Sequence, residues 1–314
     1  MPYLRLAAVA LAAVTVLCAS LPAAAAQAAP TGLLDATPRI AVISAFQEEL
    51  DLLTGLTEDR SSQSINGVTF TTGRLEGQQV VLFLSGISMV NAAMTSQLAL
   101  DHFAITRIVF SGIAGGVDPA LNIGDVVVAE RWGQYLEVVM AREVEGGWRT
   151  PPFFTYPFAN YGMMFPREVE VRRAGLAGPE SRFWFPVDAG LLESARGAAA
   201  EVALQRCAAA SACLEETPKV VIGGAGVSGG AFVDNADFRA YSFATFGARV
   251  LDMESAAVAH VAYANGVPFI AFRSLSDLAG GGDSEGENEI ATFFQLAADN
   301  AAAVVRAFLA AIEP

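Results

Sequence analysis

Residues 249–277 read RVLDMESAAVAHVAYANGVPFIAFRSLSD. Arg249 to Leu251 is a short apolar strand-like run, Ser255 to Asn265 has helical length and pattern, and Pro268 to Phe272 is a second short apolar run. The polar residues fall where each run stops: Asp252 and Glu254 after the first, Arg273, Ser276 and Asp277 after the second. A carboxylate at the end of an apolar strand is costly to bury unless it meets something polar. Open α/β sheets place their ligand sites at these strand ends.

The same alternation extends toward both termini. Ile40 to Ser44 reads as a strand that leads into a helix from Glu48 to Leu56, with Glu48 complementing the helix dipole. Val68 to Thr72 and Val80 to Leu84 read as a hairpin, Val90 to Phe103 as a helix, and Ile105 to Phe110, Asp125 to Ala129 and Lys219 to Ile222 as strands. A helix from Glu289 to Ile312 closes the chain. Strands alternating with helices predict an α/β three-layer sandwich, and the hairpin makes its central twisted sheet mixed though mostly parallel. One domain is expected over 39–314. Residues 132–187 differ in kind: they are rich in Pro and aromatics and lack a clean period. So many aromatics imply burial against the core, a subunit contact or a lid over a pocket.

The chain has 314 residues and a formal net charge of -14, which repels polyanions and argues against nucleic-acid binding. Residues 1–28 read as a secretory signal peptide: Arg5, an apolar stretch from Leu6 to about Leu21, and Ala26-Gln27-Ala28 at the end. An uncleaved membrane anchor is the alternative. Val16 and Leu17 precede Cys18 where a lipoprotein signal needs small residues. No later segment reads as long enough without charge to span a bilayer, so the expected product is a periplasmic or secreted protein free of the membrane. Export leaves Cys207 and Cys213, which are either a disulfide or two packed thiols; a bridge requires a helix break near Ser211.

His102 and His260 are the only histidines and both sit in helical patterns, so a Ser-His or Cys-His nucleophile has little to stand on. No cysteine or histidine spacing suits zinc. No metal and no cofactor are expected, and carboxylate chemistry remains. Ser111-Gly112-Ile113-Ala114-Gly115-Gly116 reads as a tight turn leaving a strand, or as a phosphate cradle, although it is neither a P-loop nor a dinucleotide fingerprint.

Six motifs occur in order: Ala45-x-x-x-Glu49, Ser85-Gly86-Ile87, Gly112-x-Ala114-Gly115-Gly116 with Gly124-Asp125-Val126-Val127, Ser228-Gly229-x-Ala231-Phe232, Asp252-Met253-Glu254 and Ser276-Asp277. This set resembles the nucleoside phosphorylase superfamily, and within it the 5′-methylthioadenosine/S-adenosylhomocysteine nucleosidases. The resemblance implies hydrolysis of the N-glycosidic bond of an adenine nucleoside, a small-molecule partner, by a homodimer. It implies that Asp277 protonates the leaving purine, Glu49 activates water with help from Arg273, and Glu254 binds the ribose hydroxyls. Phe232 would stack on the base, with the Val233 backbone reading its edge and Ser276 part of the Asp277 motif. Met253 would line the ribose pocket, and Phe46 and Ile87 the space for the 5′ substituent.

Two positions depart from that pattern. Ile113 stands where many of these nucleosidases carry a small hydroxyl residue, and Gly230 where an acid is common. Two rival readings keep the fold: a phosphate-dependent purine nucleoside phosphorylase, disfavoured by Glu48 and Glu49 in the loop that would hold the dianion, and a non-catalytic secreted nucleoside-binding or storage protein.

Overall fold

Ile40 to Ser44 forms the inner half of β1 (Asp35–Ser44) and is buried throughout, because helices cover both faces of the sheet it enters. The computed structural model describes residues 32–173, 175–209, 212–281 and 289–313. The expected signal peptide lies outside the described residues, and the folded unit begins at Leu33.

Among the described residues twelve strands form one mixed sheet. After β1 come β2 (Glu58–Ile65), β3 (Val68–Leu75), β4 (Gln78–Leu84), β5 (Phe103–Gly116), β6 (Val126–Val128) and β7 (Arg131–Gln134). β8 (Trp184–Pro186), β9 (Val220–Ile222), β10 (Ala225–Ser228), β11 (Ala248–Asp252) and β12 (Phe269–Asp277) complete it. Their order is β8-β7-β10-β11-β5-β1-β4-β3-β2, with β12, β6 and β9 branching from β5. β1 pairs in parallel with β4 and β5, and β5 with β12; the β2-β3-β4 meander, the β7-β8 edge and the β11-β5 and β12-β6 pairs are antiparallel.

Among the described residues six helices flank the sheet: α1 (Gln47–Leu56), α2 (Met89–His102), α3 (Ala189–Ala199), α4 (Ala236–Phe246), α5 (Ser255–Asn265) and α6 (Ile290–Ala311). α2 packs on α5, while α6 packs on α1 and α3. Contrary to expectation, one later segment, α6, is long and apolar enough by length and composition to cross a membrane. It is a core helix instead, burying Leu296, Val304, Val305 and Phe308 against the sheet.

Several elements escaped the sequence reading. β2 is polar and exposed along nearly its whole length, so no alternation marks it; pairing with β3 makes it a strand. α3 and α4 begin at Asp188 and Asn235, whose side chains accept from the amides of Gly190 and Leu191 and of Phe238. The aromatic stretch has more order than its sequence suggests. Its ends supply β7 and β8, and between them lie small antiparallel pairs such as Val138–Met140 with Met164–Pro166. Trp132, Tyr135, Phe183 and Phe185 are buried, and Phe158 packs on Phe183 and on Phe246 of α4, whereas Phe153 is 77% exposed. Cys207 and Cys213 are bridged across the pair Cys207–Ala209 and Ala212–Cys213; Ser211 itself lies outside the described residues.

Candidate active site

Glu49 enters the site because α1 begins immediately after β1. From the first turn its carboxylate folds back to accept the Ala45 amide (2.7 Å), a variant of the capping-box arrangement, and its other oxygen accepts the Ile113 amide (2.7 Å). Burial raises its carboxyl from 4.5 to about 7, against the opposing pull of Arg273 and the two amides.

Glu254 caps α5 and accepts the Ser88 amide at 2.7 Å. Ser88 holds φ 79 and ψ 162, a region costly for a residue with a side chain, and this strained backbone turns its N–H toward the carboxylate. Burial and the neighbouring Asp252 charge raise Glu254 from 4.5 to about 7, with Arg273 opposing. Asp277 ends β12. It accepts the Ala279 amide (2.8 Å) and the Ser276 hydroxyl (2.9 Å), yet burial still raises its carboxyl above the ordinary 3.8.

These three acids line one cleft. Phe46, Ile87, Phe232, Val233, Met253 and Ser276 line it too, so nine of the ten residues picked from sequence converge there. The tenth does not. Arg273 is fully buried beneath the cleft floor with its guanidinium 4.0 Å over the Phe110 ring. Its Nε lies 2.7 Å from Asp252, while its other nitrogens lie 3.6 Å from Glu254 and 3.9 Å from Glu49. It faces the carboxylates from behind, because a cation this deep is stable only among acids.

The Gly-rich segment is corrected as well. Residues 111–116 are neither a turn nor a phosphate cradle; they continue β5, with Gly112 paired to Arg273 and Gly115 to Asp277. Glycine is required here for close approach. A Cβ on Gly112 would collide with Arg273 Nη1 and Glu49 Oε1. Ile113 supplies its amide to Glu49 and its side chain to the cleft wall.

Asp252 and Phe294 are among the contributors that sequence reasoning missed. Asp252 lines the cleft, holds Arg273, and accepts from the Ser228 hydroxyl and from the amides of Glu254 (3.2 Å) and Ser255 (3.1 Å). Its signal was present in the Asp252-Met253-Glu254 triplet. Phe294 of α6 stacks on Phe46 with centroids 5.3 Å apart, and nothing local in a long apolar helix marks it. Among the described residues the lining carries four carboxylates and no cationic side chain, and no group of acids, histidines and cysteines is arranged to hold a metal ion.

Fold and cleft together define a class: α/β enzymes that work on a small ligand with buried carboxylates at the carboxyl ends of sheet strands. Residues 39–310 match the Phosphorylase superfamily, and the chain belongs to it. It is 27% identical over 244 residues to the 5′-methylthioadenosine/S-adenosylhomocysteine nucleosidase of Mycobacterium bovis, a match covering 77% of this chain and 86% of the relative. The nucleosidase of the same description from Bacillus cytotoxicus is 30% identical, over 77% of this chain and 87% of its own length. The crystal structure of the Neisseria meningitidis nucleosidase in complex with methylthio-immucillin-A superimposes with a TM-score of 0.63 at 25% identity, covering 89% of this chain and all of that one.

Proposed function

We infer that the protein is an N-glycosyl hydrolase that cleaves adenine nucleosides and releases adenine. The observation that carries this reading is the meeting of Glu49, Glu254 and Asp277, from distant parts of the chain, in one cleft. Glycosidic C–N cleavage requires protonation of the leaving base and stabilisation of positive charge at the anomeric carbon, as in O-glycoside hydrolysis. Asp277, whose carboxyl burial raises above the ordinary 3.8, donates to purine N7 as the bond electrons pass to N9. Phe232 stacks on the base and the Val233 backbone meets its edge. Glu254 binds the ribose hydroxyls above Met253, and its charge faces the oxocarbenium-like centre. Glu49 takes the proton of the water that attacks C1′; general acid and base action of this kind contributes about 10²–10⁴-fold.

Hydrolysis is favoured over phosphorolysis because, among the described residues, the cleft lining presents acids and no cation, which repels a phosphate dianion. Phe46, Ile87, Ile113, Ile290 and Phe294 give the remaining wall an apolar surface suited to an uncharged 5′ group such as methylthio. Adenine release from 5′-methylthioadenosine in phosphate-free buffer tests the reading; strict phosphate dependence with a ribose-1-phosphate product overturns it. The reading includes export, supported by the sequence of residues 1–28 and by the disulfide, and checked by N-terminal sequencing of the extracytoplasmic protein. It also includes a homodimer, supported by Val90 and Met94 standing exposed on α2 and checked by light scattering.

A further inference from the structure

One buried cation serves three buried carboxylates. Arg273 faces Asp252, Glu254 and Glu49, and the three are not served equally: 2.7 Å separates its Nε from Asp252, against 3.6 Å and 3.9 Å for the other two pairs. The orientation is fixed from several sides. The Ser255 hydroxyl accepts from Nε at 2.9 Å, the Phe110 ring lies under the guanidinium plane, and the Ile113 carbonyl accepts from Nη1 at 3.5 Å. Asp252 is held just as firmly, by Ser228 and by the first amides of α5.

We propose that Asp252 is a positioning residue that takes the close ion pair with Arg273, so that Glu254 and Glu49 keep only the longer pairs at 3.6 Å and 3.9 Å. The inference rests on the nucleosidase reading and assigns a role to a residue that need not touch the substrate. A carboxylate in direct contact with a guanidinium is a poor base, because the cation favours its ionised form. Diverting Arg273 to Asp252 keeps Glu49 basic enough to take a proton from water, while the cation still offsets part of the negative charge. The Asp252 charge also acts directly on Glu254. The titratable and charged groups facing this cluster are Glu49 from α1, Glu254 from the start of α5, Arg273 and Asp277 from β12, and Tyr135 beyond β7, whose phenol burial keeps protonated.

Asp252→Asn tests this, read by the pH dependence of kcat/KM for adenine release and by infrared titration of the protonated carboxyl bands. Wild-type protein loses rate on the acid side as Glu49 takes up a proton. In the variant Arg273 keeps its place but loses its ionised partner, so its charge is offset only by Glu49 and Glu254, and the acid limb and the infrared titration move to lower pH by about one unit. Asp252→Glu, which keeps the charge, restores the wild-type limb. An acid limb and infrared titration unchanged in Asp252→Asn overturn the proposal. If that variant does not fold, Asp252→Ser, which keeps a capping oxygen for the α5 amides, carries the same two measurements. Absence of adenine release by the wild-type protein sinks the nucleosidase reading instead, while the infrared titration still decides the role of Asp252.

Discussion

Replacing Glu49 by glutamine separates what this carboxyl does for catalysis from what it costs the fold. Its carboxyl is raised from 4.5 to about 7, so at about 1.36 kcal/mol per pH unit the folded protein is penalised by about 3 kcal/mol once the group is ionised. The sign follows from proton binding. The folded state holds the proton more tightly than the unfolded chain, so this contribution to stability is fully present below pH 4.5 and is lost as pH rises through about 7. Glutamine has no charge to lose. Its amide can accept only one of the two backbone N–H groups that now bond to the carboxylate, which costs about 1–2 kcal/mol at every pH. Denaturant unfolding of both proteins at pH 4.5 and pH 8.5 should therefore show the variant less stable in acid but gaining about 3 kcal/mol relative to wild type in base. Adenine release should fall by about 10²–10⁴-fold. Parallel stability curves across this range would refute the assignment of a costly buried charge to Glu49, whatever the activity.

Asp277→Asn should lower turnover by about 10²–10⁴-fold while the unfolding midpoint stays close to wild type, because asparagine can still accept the Ala279 amide; wild-type turnover would exclude Asp277 as the acid. With the native aspartate, burial raises the carboxyl above the ordinary 3.8, so the rate loss that comes with its deprotonation should lie at higher pH than for a free aspartate, seen in the pH dependence of kcat/KM. Gly112→Ala should destabilise the protein by about 1–3 kcal/mol or more, since the new methyl group meets Arg273 and Glu49, and a neutral result in thermal unfolding would contradict that packing. Reduction of the Cys207–Cys213 bridge, which closes a loop of about seven residues, should cost about 2 kcal/mol, seen as a lower unfolding temperature in the presence of a reductant.

The sequence by itself determined the layered α/β class and most of the chemistry. Short apolar runs followed by Glu49, Glu254 and Asp277 are local signals, because period and burial cost are properties of a few consecutive residues. The same holds for α5, whose bounds match the sequence reading. Tertiary structure alone decided how these pieces share one cation. Arg273 lies buried beneath the floor, and Asp252 takes its closest contact; neither fact is visible until β11, β12 and α1 are brought together. The glycines of 111–116 show the same limit. Along the chain they suggest a turn, and only the side chains arriving from α1 and β12 reveal that the missing Cβ atoms make room for a carboxylate and a guanidinium. β2 and Phe294 carry no local mark at all: the first is a strand through its hydrogen bonds to β3, the second reaches the cleft only because α6 packs beside α1. Sequence patterns record what each segment must bury, whereas the distances between segments that settle charge sharing and side-chain contact arise only on folding.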